Sequence, residues 1–166
     1  MAKVYWITGL SGVGKTPLAK KLTERLSIKE PTILYDGDDL REALNLELGN
    51  DKESRLKIAY IYSDLIKLVV SQKVNVVCST ISLFHDIHDY NRKIFNQYYE
   101  ILITKDIEKL ILKDKKNIYS KSLKNEDYAV GINIEPQYPK NPSLVFNFDE
   151  IRNLDLIVDE IINLKI

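Results

Sequence analysis

Apolar and polar positions alternate along this chain in two rhythms. Val4–Thr8, Thr32–Asp36, Val74–Ser79, Tyr99–Thr104 and Leu144–Phe148 are short runs rich in apolar and β-branched residues. Such runs predict strands buried on both faces. Between them the spacing becomes helical, over Pro17–Leu26, Asp38–Glu47, Lys52–Ser71, Asp86–Gln97, Asp106–Lys113 and Leu154–Leu164. In the longest of these, Leu56, Ala59, Tyr60, Leu65, Ile66 and Val69 recur at helical intervals. Strands separated by helices need crossover connections, so the pattern predicts an α/β fold: a five-stranded parallel sheet with helices on both faces. Residues 1–166 read as one domain, without repeats or a linker.

The segment 114–142 departs from both rhythms. It is polar and holds three of the five prolines, Pro136, Pro139 and Pro142. A stretch this long without periodicity predicts a functional loop or lid. Tyr119, Tyr128, Ile132 and Ile134 give it enough apolar character to pack down.

Composition narrows the function classes. The chain has 24 basic and 24 acidic residues, for a formal net charge of zero. Bulk charge thus argues against nucleic-acid or membrane-surface partners. No apolar run approaches the roughly 20 residues of a membrane span. The chain opens almost directly on a core strand, leaving no room for a signal peptide. Cys78 is the single cysteine, so no internal disulfide forms and the cytoplasm is the default location. A small-molecule partner is expected, and a homodimer stays open.

One segment points to chemistry. Gly9-Leu10-Ser11-Gly12-Val13-Gly14-Lys15-Thr16 matches G-x-x-x-x-G-K-[ST], between a predicted strand and a predicted helix. Backbone N–H groups of such a loop form an anion-binding nest at a positive helix end. ATP is therefore the expected cofactor, held by Gly9, Ser11, Gly12, Val13, Gly14, Lys15, Thr16 and Pro17, with Mg²⁺ on Thr16. Lys15 is expected to stand exposed in the loop mouth and reach the β- and γ-phosphates.

Asp36-Gly37-Asp38-Asp39-Leu40-Arg41 follows the second strand. Carboxylates there face the phosphates, since parallel sheets bind ligands at the carboxyl ends of strands. One of Asp36 and Asp38 can sit near the metal and the other near an acceptor hydroxyl. Arg41 can meet an anionic substrate with two parallel hydrogen bonds. Ser79-Thr80-Ile81-Ser82 ends the third strand, where Thr80, Ile81 and Ser82 can line a substrate site. Cys78 reads as a buried strand residue. His85 and His88 lack a further metal ligand. The base-reading signature Asn-Lys-x-Asp of GTPases is absent.

Together these pieces resemble the adenylylsulfate (APS) kinase family of P-loop kinases. The likeness runs through Trp6–Lys15, Asp36–Arg41, Leu48-Gly49, Arg55, Ile81-Ser82, Asp114–Tyr119, Gly131-Ile132 and Pro139–Pro142. It implies transfer of the γ-phosphoryl of ATP to a ribose 3′-hydroxyl. By the same resemblance Asp38 is the catalytic base or orienting group, acting with Lys15, and Asp36 joins Thr16 at the metal. Substrate contacts would fall on Asp36, Asp38, Arg41, Arg55, Thr80, Ile81, Ser82, Lys116, Tyr119, Gly131 and Ile132.

The departures bear on the acceptor. The family clamps adenine between two Phe side chains; here Asn50 takes one place, and Ala129-Val130, with Tyr128 nearby, the other. An Asn-x-Arg-Arg element is replaced by Ile58-Ala59-Tyr60-Ile61, and Pro17 replaces a hydroxyl residue. Stacking contributes about 1–3 kcal/mol per base, so these changes weaken APS binding. The pattern resembles cytidine diphosphoramidate kinases, relatives that act in capsule phosphoramidate pathways. An APS kinase and a non-catalytic nucleotide-binding regulator are the alternative readings.

Overall fold

The computed structural model describes residues 1–45, 47–150 and 153–164. Five strands form one parallel sheet in the order β2-β3-β1-β4-β5: β1 (Val4–Thr8), β2 (Thr32–Asp36), β3 (Asn75–Thr80), β4 (Tyr98–Thr104) and β5 (Leu144–Asn147). β1 and β3 are buried throughout, as central parallel strands must be, whereas β2 and β5 are partly open edges. Helices α1 (Lys15–Ser27) and α7 (Leu154–Ile162) pack together on one face, and α3 (Lys52–Ser71) with α4 (His85–Ile94) on the other. The predicted sheet and its helical layers are present.

Two predicted helices end early. After β2, α2 covers only Gly37–Ala43, against the expected Asp38–Glu47. Leu44 caps it and Asn45 turns left-handed at φ 46°. Asparagine tolerates that conformation and so stops a helix. Leu46, within the expected span, lies outside the described residues. α4 stops at Ile94 rather than at Gln97, because Phe95 is extended and the Gln97 carbonyl accepts from Val4 N at 2.8 Å. That bond begins the registration of β4 beside β1.

α5 (Ile107–Lys113) leads into the 114–142 segment, which is more ordered than its sequence predicts. Asp114 accepts from Tyr119 N (3.1 Å) and Ser120 N (2.7 Å), fixing a short helix, α6 (Ile118–Leu123). Six residues are too few to show helical periodicity. Further on, Gln137 N donates to Leu83 O at 2.9 Å and Arg92 to Asn141 O at 3.0 Å, so the proline-rich end is fastened to α4 and its approach. Arg92 is held by the buried carboxylate of Glu100, which also accepts from Tyr98 Oη at 3.0 Å.

Candidate active site

β1 lies between β3 and β4 while the chain leaves it for β2, so the strand order reverses there and a crevice opens at the carboxyl ends. The cleft has a volume of about 280 Å³. Its first wall is the P-loop. Gly9 comes so close to β4 that an added Cβ would lie 2.4 Å from Ile103 O, so only glycine fits. Gly14, at φ 110°, turns the loop into α1. Pro17 sits in the first turn of α1, where its missing N–H would have no helical acceptor.

Lys15 is buried, not exposed as expected. Its ammonium folds back to donate to the carbonyls of Gly9 (3.0 Å) and Leu10 (2.8 Å). Burial lowers its pKa to about 8, against the opposing pull of Asp38 and Asp36. The amine is thereby held inside the loop by two backbone carbonyls.

Thr16 and Asp36 meet at the floor: Thr16 Oγ1 donates to Asp36 Oδ2 at 2.6 Å. Asp36 Oδ1 in turn accepts from Asp38 N at 3.1 Å, capping α2. Asp38 stands exposed above it, paired with Lys116 from the lid segment. The sequence placed these two in one site but gave no sign that they would touch.

The second wall holds the arginines. Arg41 donates to Leu48 O and, at 2.7 Å, to Gly49 O. Arg55 donates to Asn50 O at 2.6 Å and to Tyr128 O at 3.0 Å, spanning from α3 to the lid segment. Burial first, then the Arg41 charge, lowers the Arg55 pKa, and Asp127 is the leading opposing charge. Both guanidiniums line the cleft, where their charges favour an anion.

Of the expected residues, Ser11, Gly12, Gly14 to Pro17, Asp36, Asp38, Arg41, Arg55, Thr80, Ile81, Ser82 and Lys116 line the cleft together. Gly9 and Val13 support the loop from beneath. Tyr119, Gly131 and Ile132 do not line it. Tyr119 is buried and donates through Oη to Ser11 O at 2.8 Å, bracing the P-loop from behind. Gly131 packs on Leu10 and Ile107, and Ile132 joins the adjoining apolar layer.

Ile58, singled out in the sequence only as part of a replaced element, stands on the cleft wall with Tyr62, Phe84 and Ile118, which the sequence did not point to. Tyr62 Oη donates to Gly37 O at 2.7 Å. Ile58 and Tyr62 are four residues apart on one helix, a spacing that puts both on one face and was the available signal. His88 was also missed as a support. It is buried behind Ser82, its Nε2 3.0 Å from Ser82 O. Burial lowers its pKa to about 4.

Known proteins resemble this chain in sequence and in fold. Residues 1–147 match the family model described as adenylylsulphate kinase. Over 161 residues the chain is 40% identical to the cytidine diphosphoramidate kinase of Campylobacter jejuni subsp. jejuni serotype O:2, covering 96% of this chain and 94% of that one. It is 33% identical over 158 residues to the adenylyl-sulfate kinase of Clostridium kluyveri, covering 93% and 77%. The solved structure of the Mycobacterium tuberculosis APS kinase CysC in complex with AMPPNP and APS superposes with a TM-score of 0.85 at 28% identity, covering 98% and 96%. No helix among the described residues is long and apolar enough to cross a membrane. The chain belongs to the adenylylsulphate kinase family and is a nucleotide kinase that takes its phosphate from ATP.

Proposed function

We propose that this kinase phosphorylates the ribose 3′-hydroxyl of a cytidine nucleotide, with cytidine diphosphoramidate as acceptor, in the cytoplasmic assembly of a capsule phosphoramidate. The observation that carries this reading is the bond from Asn50 Nδ2 to Asp127 Oδ2 at 2.9 Å. Asn50 takes the place of one of the two aromatic rings that the family resemblance leads one to expect around adenine, and the bond ties it to the lid segment just before Tyr128 and Ala129-Val130. A polar pair suits a smaller base recognised by its edge. The 40% identity to a cytidine diphosphoramidate kinase supports the same acceptor.

In the reaction so proposed, ATP lies along the P-loop with Lys15 at its outer phosphates. Thr16 and Asp36 supply the hard oxygen donors that suit Mg²⁺, which would neutralise charge on the β- and γ-phosphates. Asp38 orients the 3′-hydroxyl and accepts its proton. The bond from the 3′-oxygen to the γ-phosphorus forms as the β–γ bridging P–O bond breaks, and ADP leaves. Arg41 and Arg55 hold the acceptor's diphosphoramidate. Lys116 turns from Asp38 toward the transferring group.

APS kinase activity is the second reading, favoured by the likeness to the Mycobacterium tuberculosis enzyme. The test is kcat/KM for cytidine diphosphoramidate and for APS at fixed Mg·ATP, with ³¹P NMR locating the new phosphate. The cytidine acceptor is expected to be preferred by a wide margin. A higher kcat/KM for APS would return the chain to sulfate assimilation.

A further inference from the structure

Beside the main cleft lies a second cavity of about 350 Å³, lined by Asn50, Asp51, Asp127, Tyr128 and Asn133 among others. Arg55 connects them: it lines the cleft and donates to the carbonyls of Asn50 and Tyr128, both of which line the second cavity. Arg41 holds the same loop through Leu48 and Gly49. A nucleotide whose phosphates meet these arginines therefore has room for its base next to them.

The polar groups in this cavity are fixed in orientation. Arg55 Nη2 lies 3.4 Å from Asn50 Oδ1, which turns the Asn50 amide nitrogen toward Asp127. Asp127 Oδ1 accepts from Tyr128 N at 2.7 Å. Asn133 donates to Asp127 O at 3.0 Å and accepts from Ala129 N at 2.8 Å, locking the backbone beneath. Among the described residues, one Asn50 N–H and further lone pairs of the Asp127 carboxylate stay unused, side by side. Tyr128, 52% exposed, offers a ring at the cavity's lip.

We infer that Asp127 and Asn50 read the amino edge of the acceptor base, Asp127 accepting from the 4-amino group of cytosine and Asn50 donating to its N3, with Tyr128 as a stacking face. This deepens the cytidine reading and rests on it. Uracil presents the reverse order, a carbonyl oxygen beside an N–H. It would set O4 against the carboxylate and N3–H against the amide. The pair thus selects amino bases over keto bases, and the charge of its carboxylate makes Asp127 the stronger determinant.

The test is the ratio of kcat/KM for cytidine diphosphoramidate to that for its uridine counterpart, in wild type, Asp127→Asn and Asn50→Ala. A base pair of hydrogen bonds supports roughly ten- to hundredfold discrimination. Wild type is expected to favour cytidine in that range, and Asp127→Asn to bring the ratio near one, because a carboxamide can present either its oxygen or its N–H. Asn50→Ala should lower the ratio partway, and it keeps the test decisive if Asp127→Asn does not fold. Cytidine turnover with a wild-type ratio near one, or with an unchanged ratio in the folded variants, overturns the base-reading role and leaves the cytidine reading standing. Wild type that turns over APS and no cytidine acceptor overturns both.

Discussion

Thr16 and Asp36 join two separate elements through one hydrogen bond of 2.6 Å, the P-loop helix on one side and the end of β2 on the other. Because Asp36 also caps α2, it sets the height of Asp38 and Arg41 above the cleft floor. Asp36→Asn keeps an oxygen for the cap and removes the charge. We expect the Mg²⁺ concentration needed for half-maximal rate to rise about 10–100-fold, the usual effect of disturbing a metal site's partners. Asp36→Ala should in addition lose about 1 kcal/mol of stability with the cap. Initial rates against Mg²⁺, with urea melts alongside, measure both. An unchanged Mg²⁺ requirement in Asp36→Asn would take this carboxylate out of the metal site.

Lys15→Ala should abolish phosphoryl transfer while circular dichroism stays native. The pH behaviour has a defined sign. Lys15 has a folded pKa near 8 and an ordinary value of 10.5, so between these the unfolded chain holds the extra proton and this residue's contribution to stability rises with pH. A triphosphate favours the charged amine, so Mg·ATP binding at about pH 9 should take up a proton. Calorimetry in two buffers of different ionisation enthalpy detects that uptake, which should vanish in Lys15→Met. Equal uptake in both proteins would mean that another group titrates.

Asp38→Asn should lower kcat by about 10²–10⁴-fold, the range of a general base or hydroxyl-orienting group, with the Kd for Mg·ATP little changed. If Mg·ATP affinity collapses instead and single-turnover chemistry survives, Asp38 is a metal-side group. Its partner Lys116 is exposed, and surface pairs contribute little to stability. Lys116→Ala should therefore melt with wild type.

His88 gives the fold an acid-side weakness. Burial holds its pKa near 4, although the Ser82 carbonyl pulls the other way. Donation to that carbonyl requires the Nε2–H tautomer, and Nδ1 has no partner among the described residues. Between about pH 6.5 and 4 the unfolded chain binds a proton that the folded chain refuses, so stability falls as pH drops through that window. The loss should be on the order of 2–3 kcal/mol. His88→Gln retains a donor without titrating and should flatten the decline. Urea unfolding across that window measures it, and superimposable acid limbs would remove His88 as the cause.

Much of the cleft lining is legible in the sequence. The P-loop is contiguous, and its glycines and lysine stand at fixed spacing, so Ser11, Gly12, Gly14, Lys15 and Thr16 could be named as cleft residues from the chain alone. Asp36–Arg41 was legible because it follows a strand whose carboxyl end is where ligands bind. Tyr119 shows the limit. A tyrosine in a polar segment reads as a lid contact, yet here it is buried with its hydroxyl on Ser11 O, 108 positions away in the chain.

By itself the sequence determined the strands, the parallel sheet and the P-loop, because each is written in local periodicity or in neighbouring residues, whereas the missing aromatic pair is visible only through the family resemblance. Helix ends at Ala43 and Ile94 were decided instead by a left-handed asparagine and by the pairing of Gln97 with β1. Only the tertiary structure buried Lys15, set His88 behind Ser82 and brought Asn50 against Asp127, which are 77 positions apart. Periodicity records which face of an element is buried. It holds no record of which distant polar groups will share that burial, and hydrogen bonding between them is decided only when the folded chain removes water and each must find a partner.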